Sequence, residues 1–460
     1  MSVALRRLTV LAGALLAVAL MSLPITPARA IPAFAQQTGQ PCTACHVGAF
    51  GPVLTPYGRA FKIGGYTTTG GEGWAAHVPA SVMLLGSYTN TNQGLGMPAA
   101  QHYGPNGNFA MDQISLFVAG RVTDWLGGLV QATFSGITSE SKLDNTDIKA
   151  TTTFDVGQTD LRVGMDVNNG PTVQDPYNST YAWGFPYVAS ALAPVPIAGP
   201  LITGALIGNS LGTTLYAWYD RALYIEGGVY NTYGPSLLKY TGTSYGPGAT
   251  ANPAPYARVA YEWDWNNQSL YVGGLFLYSN INPATSPRTA DGSMGKDSYT
   301  DVAIDGGYQF LGDGTHTLTA YVIQAWESQN LVGLTNAGTS SQPNNNLNQF
   351  RGTLTYFFQQ TYGASIGWQK TWGKANPLLY APAPLTDSAN GKPNSQAIIL
   401  QADWVPFGKS DSWGAPFVNM RFGIQYVLYP QFNGGTTNYD GFGRNASANN
   451  TLYLFAWWIF

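Results

Sequence analysis

The chain contains only two cysteines, and both fall within Cys42-Thr43-Ala44-Cys45-His46. This is the C-x-x-C-H arrangement in which two thiols add to the vinyl groups of one haem and the adjacent imidazole takes the iron. The spacing matters because both thioethers and the imidazole must reach a single porphyrin. Other uses of paired cysteines fit less well. A thioredoxin-type dithiol needs a βαβ context that this sequence lacks. A zinc site needs four ligands, and there is no second cysteine pair. A disulfide across two residues would be strained and would leave His46 without a role. Cys42 and Cys45 therefore read as the covalent attachment points of one c-type haem, with His46 as its proximal ligand.

The second axial ligand must come from a donor near enough to fold back. His77, Met83, Met97, His102 and Met111 are the candidates in sequence order. Met83, near the start of the first strand-like run, is the first choice and His77 the second. Residues 31–78 carry few large apolar side chains, and so small a segment can hardly keep water from both faces of a porphyrin. The remaining wall must come from the rest of the chain, so the segment reads as a haem-bearing plug. Arg59 and Lys62 could pair with the haem propionates through charge-assisted hydrogen bonds or simply be solvated.

The elements that would position this motif are legible on either side of it. Arg6 and Arg7 precede an apolar run from Leu8 to Leu23, and Ala28-Arg29-Ala30 follows. An apolar run of about sixteen residues is short for a membrane helix and suits a cleaved signal peptide over 1–30. The export route is consistent with attached haem. Only 10% of residues are charged, and 28 Tyr, 13 Trp and 55 Gly stand out; soluble domains carry about 25% charge. The net charge of −3 gives no argument for a nucleic-acid partner.

From 79 to 460 the chain alternates large apolar residues with small or polar ones. Met420, Phe422, Ile424, Tyr426 and Leu428 interleave with Arg421, Gly423 and Gln425. Leu161, Val163, Met165 and Val167 interleave with Asp160, Arg162, Gly164 and Asp166. Period two with one polar face predicts a sheet wet on one side and apolar on the other. Tight turns at Trp265-Asn266-Asn267 and Gln359-Gln360 alternate with long Gly/Pro/Asn/Ser loops. The whole predicts an all-β fold, a transmembrane antiparallel β-barrel of about 16 strands in the bacterial outer membrane. One of those strands is expected between Asp175 and Leu211. So few charged residues also predict a lumen poor in charge, which argues against solute transport. Asp291, Asp297, Glu140 and Asp144 are the nearest thing to a hard-cation patch on the loops, and they read better as ordinary loop charges.

Ile31-Pro32-Ala33-Phe34-Ala35, Gln37-Thr38-Gly39, the Cys-x-x-Cys-His motif, Leu54-Thr55-Pro56-Tyr57-Gly58-Arg59, Phe61-Lys62 and Gly65-Tyr66 together resemble the fused outer-membrane cytochrome–porins. Asn169-Gly170-Pro171-Thr172-Val173-Gln174-Asp175-Pro176 and Trp183-Gly184-Phe185-Pro186 are similar to that family as well. The best understood members are iron oxidases of iron-oxidising bacteria. The resemblance implies a monohaem cytochrome c segment over 31–78 that fills a porin-like barrel. It implies electron transfer from an extracellular donor such as Fe(II) to a periplasmic electron-carrier protein, which leaves the enzyme class open between electron carrier and iron(II) oxidase. An axial Met would raise the potential relative to bis-His ligation, which suits such a donor. Two other functions fit the same residues. One is a transport porin plugged by haem. The other is a haem enzyme with an open distal position that reduces peroxide.

Overall fold

The computed structural model describes residues 33–72, 79–290, 292–409, 412 and 418–460. The expected signal peptide, His77 and Asp291 lie outside the described residues.

Strict alternation turns the second part of the chain into long strands. In order they are Ala80–Thr91 (β1), Asn108–Arg121 (β2), Leu126–Ser135 (β3), Glu140–Val156 (β4), Thr159–Asn168 (β5), Ser210–Tyr219 (β6), Leu223–Thr232 (β7), Ala254–Trp265 (β8), Gln268–Pro283 (β9), Asp297–Phe310 (β10), His316–Asn330 (β11), Asn344–Phe358 (β12), Tyr362–Gly373 (β13), Ser395–Trp404 (β14), Asn419–Gln431 (β15) and Thr451–Ile459 (β16). The three-residue strand Gly248–Thr250 prolongs β8 along β9. Neighbours in sequence pair antiparallel, and β1 pairs with both β2 and β16, so the ladder of sixteen strands closes on itself. Closure removes every free edge, which a strand needs in a medium that cannot hydrogen-bond to it.

The two faces divide as the alternation predicts. On β10, Tyr299, Asp301, Ala303 and Asp305 are buried inside, while Val302 and Ile304 are exposed outside. Trp265, Phe310, Phe358, Tyr362 and Trp404 are exposed at the strand ends beside the short turns. An apolar belt edged by aromatic residues on a closed antiparallel barrel is a bilayer surface. The chain is an outer-membrane β-barrel. Among the described residues no helix is long and apolar enough to cross a membrane.

Most of the short turns, the connection from 405 to 418, the start of β1 and the end of β16 share one end of the barrel. In barrels with an even number of strands that end faces the periplasm. The long loops leave the opposite end.

Two expectations need correction. No strand forms between Asp175 and Leu211; the chain from 169 to 209 is a long loop folded into the lumen, with only a short 3-10 turn at Leu201–Thr203. Six prolines, at 171, 176, 186, 194, 196 and 200, remove the donors that a strand ladder needs. The lumen is also not poor in charge. Asp147, Lys149, Asp166, Arg258, Glu262, Asp305, Asp403 and Arg421 all point inward and are buried. Few charges occur in the chain, but the barrel gathers many of them on its inner face.

Candidate functional site

The first forty described residues lie inside the barrel. Short helices form at Ala33–Thr38 (α1), Cys42–Cys45 (α2) and Pro56–Ile63 (α3). Helix α3 starts where it does because Thr55 caps it, its side chain accepting from the Gly58 amide at 3.2 Å, and Pro56 occupies the first turn. Gly58 lets α3 press onto α2, since a Cβ there would lie 2.3 Å from the Cys45 carbonyl oxygen. Val47 donates to the Val53 carbonyl at 3.0 Å and Thr55 to the Cys45 carbonyl at 2.9 Å. The Cys-x-x-Cys-His turn is thus clamped by the segment that follows it.

The barrel wall and the inward loop hold this plug. Arg59 forms a buried ion pair with Glu262 of β8 and donates to Gln309 Oε1 of β10 at 2.9 Å. Asn419 of β15 donates to the Ala49 carbonyl at 2.6 Å, and Gln360, in the turn before β13, accepts from the Gly48 amide. Phe50 meets Trp457 of β16 edge-on at 4.7 Å between centroids. Lys62 donates to the carbonyls of Val173 and Asp175 and to Asn178 Oδ1, each at 2.8 Å. Arg59 and Lys62 are therefore structural clamps, already saturated with partners, rather than free cations waiting for propionates. Contacts to Gln309 and Gln360, beside short turns, and to Asn419, at the start of β15, set the plug at the periplasmic end.

A cavity of about 500 Å³ opens between plug, wall and loop. Cys42, Cys45 and His46 line it, together with Met83 of β1, Trp183 of the loop and Arg351 of β12. The volume falls in the range of sites for cofactor-sized ligands, about 300–1,000 Å³. Met83 is buried, packed with Val47, Phe50 and Trp457. The other methionine candidates do not reach the cavity: Met97 and Met111 are 51% and 41% exposed, and His102 lies exposed in the loop after β1.

The two thiols are free, with no disulfide between them. Burial raises both, Cys45 to about 12, so they stand as neutral thiols. Burial pushes the His46 imidazole down to about 4, against a smaller opposing pull from the Gly51 carbonyl. A neutral ring has a lone pair to give to a metal. His46 Nδ1 is buried without a hydrogen-bond partner, an orphan that a structure seldom tolerates without cause. Two free thiols, a neutral imidazole and a thioether around one cofactor-sized space fit a covalently held haem.

Sequence reasoning missed the loop residues Asn178, Tyr181 and Tyr187 and the wall residues Arg351 and Asn419 as parts of this cavity. They come from strands and loops remote from the motif, so only barrel closure brings them there. Of the loop acids, Asp297 accepts from the amides of Gly333 and Leu334, and Asp144 pairs with Lys142 at 3.3 Å. Both have structural partners.

The sequence matches no protein-family model and no curated protein. Among solved structures the chain is similar to outer-membrane proteins. OmpT of Vibrio cholerae matches at 9% identity and a TM-score of 0.42, over 83% of this chain and 96% of that one. The outer membrane channel DcaP of Acinetobacter baumannii matches at 11% identity and 0.43, over 83% and 96%. The anion-selective porin from Comamonas acidovorans matches at 8% identity and 0.43, over 83% and 98%. The barrel itself is shown by this chain's own closed ladder of strands.

Proposed function

We propose that this outer-membrane barrel carries one c-type haem in its lumen and passes single electrons from an extracellular donor, such as Fe(II), to a periplasmic carrier protein. Cys42 and Cys45 would hold the haem covalently, and His46 and Met83 would give their nitrogen and sulfur to its iron. The observation that carries the reading is that all four residues, three from the plug and one from the wall, line one cavity. Bound haem supplies a one-electron couple. The chain's own part is to seat it at the periplasmic end, close to a soluble partner. The inward loop and plug fill the lumen, and the paired charges around them lock that filling in place. Phe50, Met83 and Trp457 supply dry wall, which raises the cost of an extra charge and so helps set the potential.

A second reading is a transport porin that the plug occludes. It is favoured by the charged inner wall, which lines the lumen as a conducting channel would require.

Met83→Ala separates electron carrier from open-site enzyme. The reduced wild-type protein should not bind carbon monoxide. The variant should keep its haem, bind carbon monoxide, and show a lower reduction potential as the thioether is lost. An unchanged spectrum would place the distal ligand elsewhere. Carbon monoxide binding by the wild type would favour the open-site enzyme.

A further inference from the structure

Arg59, Arg258 and Arg421 each face a carboxylate in the lumen: Glu262, Asp305 and Asp403. Arg351 does not. Among the described residues it makes no ion pair. It donates through Nη2 to the Phe185 carbonyl at 2.5 Å and lies over the Tyr181 ring at 5.4 Å. Its side chain is half-buried on β12 and faces the same cavity as Cys42, Cys45 and His46. A guanidinium partly withdrawn from water without a counter-charge carries a desolvation cost, and its fork is shaped for a carboxylate. The other charged groups on this cavity cannot take its place or neutralise it. Lys62 spends its protons on three oxygens, and Asp144 already has Lys142.

We infer that Arg351 is the anion-binding residue of the cavity, pairing with a carboxylate of its occupant, which is a propionate if the occupant is haem. The inference rests on the haem reading. It also assigns the site an orientation, with the thiol and imidazole groups supplied by the plug and the carboxylate partner supplied by the wall. Helices α2 and α3 contribute no free cation to that end, so the wall must provide one. The tyrosines that face it, Tyr181 and Tyr187 on the loop, are neutral donors and cannot replace a counter-charge for the guanidinium.

The test uses the full holoprotein in detergent, with wild type, Arg351→Lys and Arg351→Gln compared. Covalent haem is scored first by haem stain on denaturing gels, and folding by the mobility difference between unboiled and boiled samples. The midpoint potential is then measured spectroscopically from pH 5 to pH 8. In the wild type the guanidinium keeps the carboxylate ionised throughout, so the potential should be nearly flat. In Arg351→Gln the carboxyl should titrate within the range. Its potential should then fall as pH rises, because the newly ionised carboxylate, with no counter-cation, favours the oxidised iron. Arg351→Lys should restore most of the flat profile. Haem attached in every variant with identical profiles would overturn the role of Arg351 and leave the haem reading standing. Absence of covalent haem from the wild type would overturn both.

Discussion

Replacing Cys42 and Cys45 together by alanine should abolish covalent haem and leave the barrel intact. No other cysteine exists in the chain, so no thioether could form elsewhere. The thiols make no disulfide, and the barrel closes through β1, β2 and β16, which contain neither residue. Peroxidase stain of the mature protein on a denaturing gel should drop to background in the double variant. The heat-dependent mobility shift of a closed barrel should persist. The single variants should retain reduced, fragile attachment. Stain that survives the double substitution would remove the covalent assignment altogether.

Glu262→Ala has the second largest expected effect, and it falls on the plug rather than on the ladder. Arg59 is buried at 2% exposure, and among the described residues Glu262 is its one ion-pair partner. Removing one member of a buried pair typically costs about 3–5 kcal/mol, because the remaining charge stays desolvated. The hydrogen bonds from Arg59 to Leu54 O, Gln309 and Ser269 persist, which sets the effect nearer the lower end. The contacts of β8 with β7 and β9 run through the backbone and survive. The plug should therefore loosen in a folded barrel. Limited proteolysis of the intact protein should cut within residues 33–72, and small solutes should pass more freely. A charge-free pair, Arg59→Met with Glu262→Met, should recover much of the protection, since apolar replacement of a buried pair is often neutral. Unchanged protease resistance in Glu262→Ala would mean that the pair does not hold the plug.

The barrel was legible because its signal is local. Alternation within Met420–Leu428 or Leu161–Val167 decides which face is wet without knowledge of any partner strand, and pairing then follows chain order. The Cys-x-x-Cys-His motif was legible for the same reason, its three groups lying within five residues. Met83 could be named from its nearness in sequence, and on β1 its side chain is buried. The luminal loop was not legible as such. Its prolines exclude a strand, yet nothing local says that 169–209 turns inward to meet Lys62, a contact made 111 residues away in sequence at Val173. The charged lumen was hidden by composition. A low overall fraction of charge says nothing of where the charges gather, and alternate positions on eight or more strands gather them on one face. Arg351 had no sequence signal at all, because what distinguishes it is the missing carboxylate in three dimensions.

Passage of electrons through a haem held in the lumen can be followed in sealed vesicles. Oxidised cytochrome c is trapped inside, the full-length holoprotein is reconstituted in the bilayer, and Fe(II) is added outside. Reduction of the trapped cytochrome c is followed by absorbance, with the Cys42→Ala, Cys45→Ala double variant as the comparison. The trapped cytochrome c should be reduced in the holoprotein vesicles and almost not at all with the double variant. Equal rates in the two would mean that Fe(II) leaks through the barrel itself, and a porin rather than an electron carrier would be the correct reading.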